Sequence, residues 1–129
     1  MPTKRKRLPR REERVEISFL EAVRRRFPKD EKVLEALGDL YTRTGRFQEG
    51  LDADLELVRQ RPQECMVWYN LACSYSLTGR SDESFQALHR AIELGYRDFQ
   101  WMLRDKDLEQ IRGDQRFSAL LKKILPIQA

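Results

Sequence analysis

The sequence predicts an all-α fold, a solenoid of antiparallel helix pairs with a helix before it and a helical cap after it. Three observations predict it. Thr44-Gly45-Arg46 recurs 34 residues later as Thr78-Gly79-Arg80, and Leu34, Leu37, Gly38 and Tyr41 recur as Trp68, Leu71, Ala72 and Tyr75. A period of that length is the mark of a helix-turn-helix unit that buries its apolar face by stacking on its own copy. Within each copy the four quoted positions fall at i, i+3, i+4 and i+7, on one face of a helix. Gly45 and Gly79 follow the last periodic residue, where glycine ends a helix in the left-handed conformation at no steric cost.

Taken in order, residues Met1 to Arg11 hold Lys4, Arg5, Lys6, Arg7, Arg10 and Arg11, two prolines and no acid. With Leu8 as their one sizeable aliphatic besides the initiator, they cannot repay the entropy of ordering, so a disordered basic tail is expected. Glu13 to Phe27 reads as an amphipathic helix with Val15, Phe19 or Leu20, Val23 and Phe27 on its apolar side. Pro28 lies 34 residues before Pro62 and Ile17 lies 34 before Leu51, so this helix has the phase of the second helix of a degenerate earlier repeat. Residues 30–63 form the first full repeat, opened by Asp30 as N-cap and closed by Pro62. Its second helix runs from about Phe47 to Gln60 with Leu51, Leu55 and Val58 as the buried stripe. Residues 64–97 form the second repeat, with a first helix from Cys65 to Leu77. Ser81 caps a helix to about Leu94, with Phe85, Leu88 and Ile92 inward and Asp82 and Glu83 at its positive end. Gly95 is the expected break. Residues 98–125 form the cap, in three short helices at Phe99–Leu103, Leu108–Arg112 and Asp114–Leu125.

Gly38 and Ala72 occupy the third position of the repeated face, where a larger side chain would hold the paired helix away. A length of 129 residues suits one domain, and 36% charged residues suit thin helical layers with much solvated surface. The formal charge of +4 belongs to the tail, whose six cations leave the rest of the chain at about −2. Cys65 and Cys73 are roughly 12 Å apart along a helix at 1.5 Å per residue, too far to bridge, and read as reduced thiols. There is no run of 18 apolar residues and no apolar stretch of signal-peptide length, so no membrane contact and a cytoplasmic location are expected.

The repeated residues resemble those of the tetratricopeptide repeat (TPR) family. The string Asp107-Leu108-Glu109-Gln110-Ile111-Arg112, with Asp114, Arg116-Phe117 and Leu120-Leu121, is similar to the closing segment of many bacterial TPR proteins. In that segment Phe99, Met102, Leu108, Ile111, Phe117, Leu120 and Leu121 are expected to cover the last repeat. Two positions depart from the family pattern: Asp54 stands where a large apolar residue is usual, and Leu57 where alanine is usual. The family binds other proteins and seldom does chemistry. Its concave groove is lined by the first helix of each repeat, which maps here onto Lys32, Glu35, Asp39, Thr42 and Arg43, then Met66, Tyr69, Asn70, Cys73 and Leu77, with Gln100 and Arg104 beyond. Asn70 matches a position whose amide holds a bound peptide's backbone, and Arg104 a basic carboxylate-holding position of chaperone-binding TPR domains. That subclass needs lysine and asparagine where Glu35 and Asp39 stand, and two acids would repel a terminal carboxylate.

Catalytic chemistry is not expected. His89, the single histidine, has no nucleophile or orienting group near it in sequence, and helix packing is its default role. Cys65, Cys73 and His89 lack the short paired spacing of a zinc site, and the glycines are explained by turns and packing, so neither a metal nor another cofactor is expected. The reading is a protein-protein interaction module that takes a peptide or helix with an apolar anchor and a basic flank in its groove, around Tyr69 and Asn70. A second reading gives the tail a salt-sensitive contact with nucleic acid, without aromatic residues to stack on bases. A further variant puts the basic tail into the chain's own groove or a neighbour's, since opposite charges are available on one chain, and the sequence leaves open whether the exposed ends stack into a dimer.

Overall fold

The computed structural model describes residues 10–128. They are helical throughout, with no strand among them: α1 (Arg11–Arg26), α2 (Glu31–Arg43), α3 (Phe47–Gln60), α4 (Cys65–Leu77), α5 (Ser81–Glu93), α6 (Phe99–Arg104), a 3-10 helix (Lys106–Ile111) and α7 (Gln115–Gln128). Of the expected basic tail, Met1 to Pro9 lie outside the described residues. Arg10 stands at the N-cap of α1 and Arg11 is already helical, because the Glu13 carboxylate turns back to accept the Arg10 backbone N–H at 3.1 Å.

Consecutive helices pack on one another, α1 on α2, α2 on α3, α3 on α4 and α4 on α5, and the 3-10 helix folds back onto α4. The repeated turn explains how the first of these steps are made. Gly45 and Gly79 have φ of 84° and 78°. The next residue's N–H returns to the carbonyl five residues earlier, Arg46 to Tyr41 and Arg80 to Tyr75, each at 2.8 Å. Thr44 and Thr78 add hydroxyl bonds to the Leu40 and Ser74 carbonyls. The same arginine then opens the following helix, since Gly50 N–H and Ser84 N–H bond to the Arg46 and Arg80 carbonyls at 3.0 Å. This double use displaces the expected cap at Ser81, which is the first helical residue, while Arg80 holds the N-cap place. Asp30 does cap α2, accepting from Val33 N–H at 3.1 Å. Gly95, at φ 115°, ends α5 in the same way, with Tyr96 N–H on the Ala91 carbonyl.

The core runs from α3 to α7. Leu71, Ala72, Phe85 and Leu88 meet Phe99, Met102, Leu108, Ile111, Phe117 and Leu120 of the closing segment in one cluster, with Leu121 half-buried at its edge. Arg116 fastens α7 to α5, pairing with Asp82 at 2.6 Å and lying over the Phe85 ring. In α3 the buried face differs from the expected stripe: Leu51, Ala53, Asp54 and Leu57 are buried, whereas Leu55 and Val58 are half-buried. The helix is turned so that Ala53 sits against Gly38, where an added Cβ would lie 3.7 Å from Ala53 Cβ and 3.3 Å from Asp54 Oδ1.

In α1 the expected apolar side holds only at Leu20 and Val23, which are half-buried. Ile17 is buried against Leu37, Leu40 and Tyr41, with Leu20 beside it, while Val15, Phe19 and Phe27 are exposed. The repeat phase, which set Ile17 at the place of Leu51, outweighs the local stripe because the face presented to α2 is fixed by stacking. His89 is exposed on the outer face of α5 beside Gln86 and Glu93, so the expected packing role is absent. Among the described residues no helix is long and apolar enough to cross a membrane.

Candidate functional site: an acidic groove between the first helices

A groove of about 460 Å³ opens between α2, α4 and the α6/3-10 segment, with α3 beneath it. One wall is Glu35, Gly38, Asp39 and Thr42, the other Met66, Tyr69, Asn70 and Cys73. Each set has the spacing i, i+3, i+4, i+7, so each is one face of one helix. Trp101, Asp105 and Asp107 close the far side, and Asp54, Leu57 and Ser74 form the floor, with Arg61 and Glu64 at the rim. Among the described lining residues six are carboxylates and Arg61 alone is cationic.

Of the residues expected from sequence, Glu35, Asp39, Thr42, Met66, Tyr69, Asn70 and Cys73 line this groove. Lys32, Arg43, Leu77, Gln100 and Arg104 fall outside its lining. Arg43 is held by Asp39 at 3.0 Å and Glu13 at 3.5 Å, Leu77 is buried, and Arg104 is exposed with its guanidinium 5.8 Å from the Trp101 ring centre. Arg10 and Arg11 are exposed at the start of α1, whereas Lys4, Arg5, Lys6 and Arg7 lie outside the described residues.

Tyr69 lines the groove yet is only 2% exposed. Its hydroxyl donates to Asp105 Oδ2 at 2.7 Å and its ring stacks on Tyr96, centroids 4.3 Å apart and planes 4° from parallel. Cys73 Sγ lies 3.7 Å from the same Asp105 oxygen, and Asp105 Oδ1 accepts the Asp107 N–H at 2.9 Å. Burial, reinforced by the neighbouring Asp105 charge, pushes the Cys73 thiol well above its usual range. A thiol so shifted is held in its protonated form at neutral pH. Cys73, Asp105 and Asp107 bring three potential ligand atoms within 4.8 Å of one another. Both Asp105 oxygens are already engaged, so the group is accounted for as the joint that fixes the 3-10 helix to α4.

Asp54 is buried in the floor, and loss of solvent raises its pKa to about 6, against the opposing effect of the Ser74 hydroxyl at 2.5 Å. At the rim Arg61 binds Glu31 and Glu35 and lies 3.6 Å from Glu64. Met66 and Trp101, 47% and 46% exposed, are the apolar lips. Sequence reasoning marked Asp54 only as a break in the pattern. It did not name Arg61 and Glu64 of the α3–α4 connection or Ser74 of α4, and Trp101, Asp105 and Asp107 come from the non-periodic closing segment, which carries no register to place them over α4.

No protein family's sequence profile matches the chain. Two curated proteins are similar to part of it. One is a chloroplastic protein of Arabidopsis thaliana, 30% identical over 86 residues, which are 64% of this chain and 26% of that protein. The other is the peroxisomal targeting signal receptor of Candida glabrata, 30% identical over 76 residues, which are 59% of this chain and 13% of that protein. The chain thus spans about a quarter and about an eighth of the lengths of these relatives.

Proposed function

We propose that the chain is a short TPR-type solenoid of antiparallel helix pairs that works as a protein-binding module, not as an enzyme, with the groove between α2 and α4 as its recognition surface. The observation that carries this reading is the lining itself: six carboxylates face one guanidinium, beside two exposed apolar lips. A partner segment with a lysine or arginine next to one large apolar side chain matches both features. The cation is drawn by the net negative charge of the lining, and the apolar group lies between Met66 and Trp101. Asn70 is exposed on the α4 wall, and in this reading its amide bonds the backbone of the bound peptide. Similarity to a protein named as a receptor for a targeting signal supports a peptide-like partner.

The test is a peptide array scanned with the labelled chain, followed by titration of the best ligands. Basic-apolar peptides should bind, with affinity falling as salt rises. Met66→Ala and Asn70→Ala together should weaken binding by about tenfold or more, with the far-UV spectrum unchanged. Tyr69 is unsuitable as the probe, because its loss would break the joint to Asp105. Selection of acidic peptides, or binding indifferent to the double variant, would overturn the reading.

A further inference from the structure

The floor of the groove holds a carboxylate oxygen that accepts from no described residue. Among the lining acids, Glu35 and Glu64 lie against Arg61, Asp39 pairs with Arg43, and the two Asp105 oxygens accept from the Tyr69 hydroxyl and the Asp107 N–H. Asp54 differs. It is 8% exposed, its Oδ2 accepts the Ser74 hydroxyl at 2.5 Å, and its Oδ1 is the oxygen left over. Oδ1 keeps an opening to the groove, because Gly38 on the α2 wall has no side chain to cover it: a Cβ there would stand 3.3 Å from this atom. A buried carboxylate costs free energy until its oxygens are hydrogen-bonded or paired with a cation, and here the described residues supply one bond for two oxygens. Burial lifts its pKa only to about 6, so the group is largely ionised at neutral pH.

We propose that Asp54 takes the ammonium of a lysine side chain that a partner segment passes down the gap at Gly38, and that the groove thereby selects lysine over arginine. The inference rests on the groove being the recognition surface. Arginine is held best when its planar fork meets both oxygens of a carboxylate, and Ser74 already occupies one of them. An ammonium is a compact charge on a slender stem, so the one open oxygen suffices. Asp39 and Thr42 line the same wall as Gly38 and can take its other N–H groups.

The probes are the tightest single-lysine peptides from the array, blocked at both ends so that the side chain is their one cation, with copies carrying arginine or norleucine in its place. In calorimetric titrations at neutral pH the lysine form should bind about tenfold tighter than the arginine form, and the norleucine form more weakly than either. Asp54→Asn keeps a polar group at Ser74 and removes the charge. It should cost the lysine peptide about tenfold and erase the preference, while leaving the norleucine peptide unchanged, which shows that the groove is intact. Gly38→Ala should act in the same direction by narrowing the entry. Equal affinity for the lysine and arginine forms, lysine binding indifferent to Asp54→Asn, or a loss shared by the norleucine peptide would each overturn the assignment and leave the groove reading in place. An array that returns arginine peptides and no lysine ones would do the same, whereas one that returns no basic-apolar peptide overturns both.

Discussion

Asp54 shows what one buried carboxylate does to this fold. Its single strong partner is the Ser74 hydroxyl, and burial raises its pKa from 3.8 to about 6. A group whose folded pKa is raised contributes stability that is full below the unfolded pKa and is lost as pH rises through the folded value. Stability should therefore fall between about pH 4 and pH 6, by up to about 3 kcal/mol at 1.36 kcal/mol per unit. Asp54→Asn keeps a polar group at Ser74 without the charge. Urea unfolding at a series of pH values should show the wild-type losing stability relative to this variant across that window and then remaining lower. A constant difference would mean that Asp54 is solvated in the folded chain.

At the scale of the element, the turn between paired helices is the most constrained local feature. Gly79 has φ 78° and nothing within 4 Å of where a Cβ would stand, so Gly79→Ala is opposed by backbone conformation and not by a clash. A left-handed alanine costs roughly 1–2 kcal/mol, or about 4–8 °C in melting temperature for a domain of this size. Gly113 also has open space but no positive φ. Gly113→Ala should leave the melting temperature nearly unchanged, and equal losses at the two sites would refute the conformational account. The same reasoning explains why the Thr-Gly-Arg string recurs. Threonine ties off a carbonyl, glycine reverses the chain, and arginine both closes one helix and opens the next.

At the scale of the molecule, stability should be graded along the chain. Helix α1 packs on α2 at one end, whereas α4 meets α3, α5 and the 3-10 helix. In a stack held by neighbour contacts, the end unit opens first. Hydrogen exchange should be fastest for amides of α1 and slowest for α4 and α5. Uniform protection from α1 to α7 would show that the helices unfold as one cooperative block.

Much of this architecture was legible in the residues. The boundaries of α3 and α4, the Asp30 cap and the breaks at Gly45, Gly79 and Gly95 all follow from period and turn chemistry, because these are local consequences of backbone geometry, whereas the two walls of the groove were named only through the resemblance to the TPR family. The exposure of Val15 and Phe19 on α1, the turn of α3 that carries Asp54 into the groove floor, and the withdrawal of Tyr69 from solvent were decided only by tertiary structure. Tyr69 and Asp105 are 36 residues apart, and Asp54 and Ser74 are 20 apart. Contacts at such separations leave no periodic trace in a sequence: they exist because packed helices bring together side chains whose own neighbours say nothing of each other.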